Sequence, residues 1–186
     1  QISSVCRAHH ILLYIDGARL AYALACPEND VSLADLAALC DAFYIGGTKC
    51  GALFGEAVVL PRPGLIPHFF TIIKQHGALL AKGRLRGIQF DTLFTDGLYE
   101  KLGAPAMAAA DHIRAALREC GYTLCFDSPT NQVFCILDND TMARLAQKVD
   151  FGFWEKYDDT HTIVRFAASW ATDMDDVKLL KDALRD

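Results

Sequence analysis

Short apolar runs punctuated by glycine, proline and acidic residues divide this chain into alternating strands and helices. Residues 2–9 read as the end of an amphipathic helix. Ile11-Leu12-Leu13-Tyr14-Ile15 is then a continuous apolar run, the pattern of a strand buried on both faces of a parallel sheet. It stops at Asp16-Gly17, which puts a carboxylate at a strand's carboxyl end, where open α/β sheets bind ligands. An alanine-rich stretch over 18–25 predicts a short helix. Ser32 followed by Asp35 has the form of a capping box and opens a helix over 33–40. Ala42-Phe43-Tyr44-Ile45 predicts a second strand and delivers Gly46-Gly47-Thr48-Lys49. Glu56-Ala57-Val58-Val59-Leu60 predicts a third, stopped by Pro61 and Pro63.

Helical spacing resumes over 65–81 and 88–102, and Gly103-Ala104-Pro105 marks a domain boundary or a helix restart. Beyond it the pattern changes. A helix from Met107 to Cys120 ends at Gly121, strands follow at 122–126 and 132–137, and 140–148 is helical. Strands recur at 151–157 and 162–167, and 173–184 closes as a helix. Strand pairs with flanking helices predict a small α+β domain, an antiparallel sheet with helices on one face. The expected division is therefore 1–104 and 105–186.

Composition narrows the possibilities. At 186 residues with 52% hydrophobic and 22% charged residues, the chain can bury a sizeable core. A net charge of -5 with no basic run argues against a nucleic-acid partner. No apolar stretch is long enough for a membrane span. The seven cysteines, Cys6, Cys26, Cys40, Cys50, Cys120, Cys125 and Cys135, include no Cys-x-x-Cys pair and no zinc spacing, as expected of reduced cytoplasmic protein without a metal site. Gln1-Ile2-Ser3-Ser4 reads as the middle of a helix, which predicts a piece of a longer polypeptide.

Two segments carry a chemical proposal. An acid at the end of one strand and a lysine in a glycine-rich, otherwise uncharged loop at the end of the next are the parts needed to hold pyridoxal phosphate. Asp16 would keep the ring nitrogen protonated, so that the ring can drain electrons from a substrate carbanion. Lys49 would supply the amine for the aldehyde. Taken alone, Asp16 could equally cap the next helix and Lys49 could be a surface turn lysine. Their placement after two strands joined by one helix-bearing crossover is what favours the joint reading. A phosphate-cradling nucleotide loop fits poorly, because neither of the usual glycine-lysine orders is present.

The strings Leu13-Tyr14-Ile15-Asp16-Gly17-Ala18-Arg19 and Phe43-Tyr44-Ile45-Gly46-Gly47-Thr48-Lys49-Cys50-Gly51, running on to Gly55, resemble the low-specificity threonine aldolases. These belong to the β-eliminating-lyase group of fold-type I pyridoxal-phosphate enzymes. The resemblance runs along the whole chain and is most specific over 11–60. It implies an α/β fold of the pyridoxal-phosphate-dependent transferase type, here a part of the large domain with a mainly parallel sheet plus the small C-terminal domain.

By that resemblance Asp16 pairs with the pyridine nitrogen, Lys49 takes the cofactor aldehyde, and Arg19 lies near the cofactor's phenolic oxygen and the substrate. Arg165, in Thr160-His161-Thr162-Ile163-Val164-Arg165-Phe166, matches the residue that grips the substrate carboxylate, a task that suits the guanidinium fork. Lys82, Arg84 and Arg86 fall where the family sends one cation to a neighbouring subunit's cofactor phosphate, and any of the three could be the match. The family's glycine/threonine phosphate loop has no counterpart here, and none of the six histidines takes the place of its ring-stacking group.

The implied activity is cleavage of β-hydroxy-α-amino acids, threonine or allo-threonine giving glycine and acetaldehyde, in a homodimer or homotetramer with shared sites. β-Elimination or transamination uses the same Asp and Lys and is the nearest alternative. A non-catalytic assembly module is the alternative that the missing phosphate loop favours.

Overall fold

A computed structural model of the chain describes residues 1–185. The chain divides into two compact units, one of residues 1–24 and 30–99 and the other of residues 25–29 and 100–186.

The first unit opens with helix α1 (Ile2–Ala8), strand β1 (Tyr14–Ile15) and helix α2 (Leu20–Leu24). Helix α3 (Leu33–Leu39) and strands β2 (Ala42–Ile45) and β3 (Ala57–Val59) follow. Helices α4 (Phe69–Gln75) and α5 (Arg84–Phe94) complete it, with a 3-10 turn leading to α6 (Leu98–Lys101). The predicted capping box at α3 is present: Asp35 N donates to Ser32 Oγ at 3.2 Å, and Ser32 N donates to Asp35 Oδ2 at 2.9 Å. Its sheet has the order β1-β2-β3, parallel between β1 and β2 and antiparallel between β2 and β3. The sheet is therefore mixed.

The run Ile11–Ile15 departs from expectation. Only two of its residues are strand, and Ile11, Leu12 and Tyr14 are 59%, 66% and 57% exposed. β1 is an edge strand among the described residues, so apolar character alone did not bury it. The buried side chains include Phe43 and Ile45 of β2, Cys50 of the loop that follows it, Tyr22 of α2 and Tyr99 of α6.

The second unit contains helices α7 (Gly103–Glu119), α8 (Asn139–Leu145) and α9 (Met174–Arg185). Its strands are β4 (Thr123–Leu124), β5 (Gln132–Asp138), β6 (Gly152–Lys156) and β7 (His161–Ala167). They form one antiparallel sheet in the order β4-β5-β7-β6. α7 starts directly at Gly103, so the Gly-Ala-Pro triplet is a helix first turn, where a proline lacks nothing by having no amide hydrogen. The helix ends at Gly121, whose φ of 83° places it in the left-handed region favoured after a helix terminus.

Ala106, Ala109, Ala110, Ile113, Ala116 and Leu117 form the buried stripe of α7, at the spacing of one helix face. Ala109 to Leu117 of that stripe pack with Val177, Leu180 and Leu184 of α9 against Val133, Cys135, Leu137, Val164 and Phe166 of the sheet. Side chains alternate along a strand, so Gln132, Phe134 and Arg165 fall on the opposite face.

Candidate active site

Asp16 sits one residue past β1. Its Oδ1 accepts the Ala18 amide at 3.0 Å, a turn in which an aspartate satisfies its own backbone two residues on. The same oxygen accepts the Tyr44 hydroxyl at 2.5 Å. These two hydrogen bonds, aided by the nearby charges of Lys49 and Arg19, hold the Asp16 carboxyl below its ordinary range. The carboxylate is exposed and ionised, which is the state needed to face a cationic ring nitrogen.

The Asp16 turn and the Lys49 loop are packed backbone to backbone. Gly46 N donates to Gly17 O at 2.8 Å. A β-carbon on Gly17 would stand 1.8 Å from Tyr44 O, and one on Gly46 would stand 2.4 Å from Ala18 O. Glycine is required at both positions by this close approach.

Three further groups fix the lysine loop. Glu56, at the start of the β3 segment, accepts Gly47 N at 2.6 Å and Thr48 Oγ1 at 2.9 Å. Tyr22 donates to the Lys49 carbonyl, and buried Tyr99 donates to Gly46 O at 2.9 Å. Burial pushes the Tyr99 phenol and the Cys50 thiol up, so both are neutral packing groups. The Lys49 backbone is thus held while its side chain is exposed, with no hydrogen bond or ion pair among the described residues. Arg19 is half-buried two residues after Gly17. The structure brings Asp16, Arg19 and Lys49 near one another. It adds Tyr44 and Glu56, which sequence reading missed. A lone acid following a glycine-rich loop was the available signal for Glu56; nothing local marked Tyr44.

Of the three basic residues before and within α5, Lys82 and Arg84 are exposed. Arg86 differs. Its guanidinium carbon lies 5.9 Å from the Phe54 ring centre, its side chain runs against Gly55, and its Nε is buried without a partner. Gln89 holds the 53–54 backbone beside it, accepting Leu53 N at 2.7 Å and donating to Phe54 O at 3.1 Å.

In the second unit Arg165 has similar surroundings. It is half-buried on β7, paired across the sheet with Phe134 and Gly152. Its guanidinium carbon is 5.6 Å from the Trp154 ring centre, and Trp154 meets Phe134 edge-on at 4.9 Å. Its Nη1 donates to Gln132 Oε1 at 3.2 Å, and its Nε is buried without a partner. Absence of a side chain at Gly152 leaves room for the fork: a β-carbon there would lie 3.4 Å from Nη2. An arginine held by a flat ring and one neutral amide, with no carboxylate of its own, is suited to an exogenous anion.

All seven cysteines are free, and no group of three or more potential metal ligands occurs among the described residues. No described helix is long and apolar enough to cross a membrane.

No protein-family model matches the chain. A low-specificity L-threonine aldolase from a Pseudomonas species is 29% identical over 192 residues, taking in 99% of this chain and 53% of that protein. The solved threonine aldolase of Leishmania major superposes with a TM-score of 0.93 at 43% identity, covering 99% of this chain and 54% of that one. Serine palmitoyltransferase of Sphingomonas wittichii shares the fold at a TM-score of 0.69 and 14% identity, covering 99% of this chain and 49% of that one. The chain spans about half the length of the curated relatives it matches. Its resemblance to the low-specificity threonine aldolases extends over its whole described length, and its fold is that of the fold-type I enzymes.

Proposed function

We propose that this chain is part of a pyridoxal-phosphate-dependent aldolase that cleaves β-hydroxy-α-amino acids, taking threonine or allo-threonine to glycine and acetaldehyde. The observation that carries the reading is the joint placement of Asp16 and Lys49, whose two loops are locked by the Gly46 to Gly17 hydrogen bond. The aldolases among its relatives support the choice of reaction.

The residues present fit the ring and the aldehyde of the cofactor. Asp16 offers an ionised carboxylate with Oδ2 unclaimed, and Lys49 offers an amine with no partner on a fixed backbone. Bound there, pyridoxal phosphate supplies the electron sink for breaking the bond between Cα and Cβ. Asp16 keeps the ring nitrogen's proton in place, and Arg19 flanks the same carboxylate. Arg165 is assigned to the substrate carboxylate, on the strength of a guanidinium held by Trp154 and Gln132 whose Nε has no partner among the described residues. For a cofactor phosphate contributed by a neighbouring copy, Lys82 and Arg86 are the assigned cations. The stacked, orphaned guanidinium of Arg86 has the more receptor-like surroundings. The assembly is assigned as a homodimer or homotetramer with shared sites.

The test is a visible absorption spectrum after addition of pyridoxal phosphate, followed by borohydride reduction and peptide mass mapping. Label confined to Lys49 supports the reading, and acetaldehyde release from threonine by the longer protein then establishes the reaction. Label scattered over surface lysines of the longer protein, or pyruvate from serine in place of acetaldehyde from threonine, overturns it. The latter result would favour β-elimination.

A further inference from the structure

β1 and β2 run parallel, with Ile15 opposite Phe43. One step further along both strands sets Asp16 beside Tyr44. The Tyr44 hydroxyl donates to Asp16 Oδ1 at 2.5 Å, and the Ala18 amide donates to that same oxygen at 3.0 Å. Both donors fall on Oδ1, and Oδ2 has no hydrogen bond among the described residues. The Tyr44 ring is itself held, stacked on Tyr14 at 6.3 Å between centres with 27° between planes.

From this geometry we infer that Tyr44 is a positioning residue, which locks the Asp16 carboxylate by one oxygen and leaves the other as the single acceptor for a cationic ring N–H. The clamp stands on the chain's own contacts. Only the identity of the ring, a pyridinium, rests on the function proposed above.

The direction of the hydrogen bond is set by the charges around it. The Asp16 carboxylate first, then burial, with the charges of Glu56 and Tyr14 after them, push the Tyr44 phenol up to about 12. Tyr44 therefore remains a proton donor throughout the neutral range. On the other side Lys49 and Arg19 face Asp16 and favour its ionised form. A carboxylate with one oxygen pinned loses rotational freedom before a ligand arrives, so less is lost on binding. Supporting hydrogen bonds of this kind fix a contact group's orientation without touching the ligand.

The test compares the chain with Tyr44→Phe, which keeps the ring and its stacking, and with Tyr14→Phe as a control for the stack. First, carbon-13 NMR follows the Asp16 carboxyl titration with no added ligand. Tyr44→Phe should raise its midpoint toward the ordinary aspartate range, and Tyr14→Phe should leave it in place. Second, spectroscopic titration measures binding of pyridoxal phosphate and of its deaza analogue, in which C–H replaces the ring nitrogen. Loss of the pre-oriented carboxylate should weaken pyridoxal phosphate by about ten-fold and leave the deaza analogue unchanged.

An unmoved Asp16 midpoint overturns the inference. Equal weakening of both probes also overturns it, because it would show only a structural role. If the unmutated chain, which has no counterpart of the family's phosphate loop, takes up neither probe, the Asp16 titration alone decides the clamp.

Discussion

The Gly46 amide donates to the Gly17 carbonyl at 2.8 Å, and this bond joins the turn that carries Asp16 to the loop that carries Lys49. Neither glycine has room for a side chain, since the nearest atoms at both positions are backbone and cannot swing away.

Gly17→Ala should therefore be among the most damaging single-methyl changes in the chain. Its β-carbon would have to displace the Tyr44 carbonyl, from which it would lie only 1.8 Å. Overpacking against rigid backbone is expected to cost about 3 kcal/mol. Urea denaturation checks the loss. In any folded remainder, borohydride labelling at Lys49 should fall with it.

Glu56→Ala should loosen the lysine loop while leaving β3 paired. Two donors, Gly47 N and Thr48 Oγ1, lose their acceptor together. Hydrogen exchange at the Gly47 amide is expected to quicken by about ten-fold. Glu56→Gln keeps one acceptor and should fall between the two.

Arg165→Lys should separate binding from folding. A lysine keeps the charge but offers neither the planar fork nor a surface to stack on Trp154. In the longer protein, kcat/KM for threonine is expected to drop by about 100-fold, carried mainly by KM. The unfolding midpoint in urea should barely move, because Arg165 makes no ion pair among the described residues. A large stability loss with unchanged KM would remove Arg165 from the substrate site.

The turn that feeds β7 should be acid-sensitive through Asp158. Its carboxylate accepts Thr160 N at 2.7 Å, Thr160 Oγ1 at 3.0 Å and His161 N at 2.8 Å. The Thr160 amide and the His161 ring lead in lowering its pKa to about 2. Because the folded value is depressed, the turn's contribution is fully present above the ordinary aspartate range and is lost as pH falls toward about 2. NMR shifts of the Thr160 and His161 amides should titrate with that midpoint, and Asp158→Ala should abolish the transition.

Much of the fold was legible in the chain. The helix over 33–40 announced itself by Ser32 and Asp35, and the 107–120 helix by its apolar spacing and the glycine after it. Each depends on neighbours within four residues, so the signal lies in the string itself. Ile11–Ile15 shows the limit. Its composition suited a doubly buried strand, yet burial needs partners on both sides, and β1 has one pairing among the described residues.

The candidate site divides in the same way. Asp16 and Lys49 could be proposed from the strand ends that carry them, because the chemistry of an acid or an amine is a property of the residue and its turn, whereas Arg19 and Arg165 were proposed only through the family resemblance. Tyr44 on Asp16, Glu56 on the lysine loop and Trp154 over Arg165 could not be named. Those contacts depend on strand direction and register, which place residues distant in sequence within hydrogen-bond reach. Order of elements and kinds of reactive group were thus determined by the sequence alone. Which oxygen of Asp16 is held, and which arginines stand against a ring with a buried Nε left without a partner, were decided only by the tertiary fold.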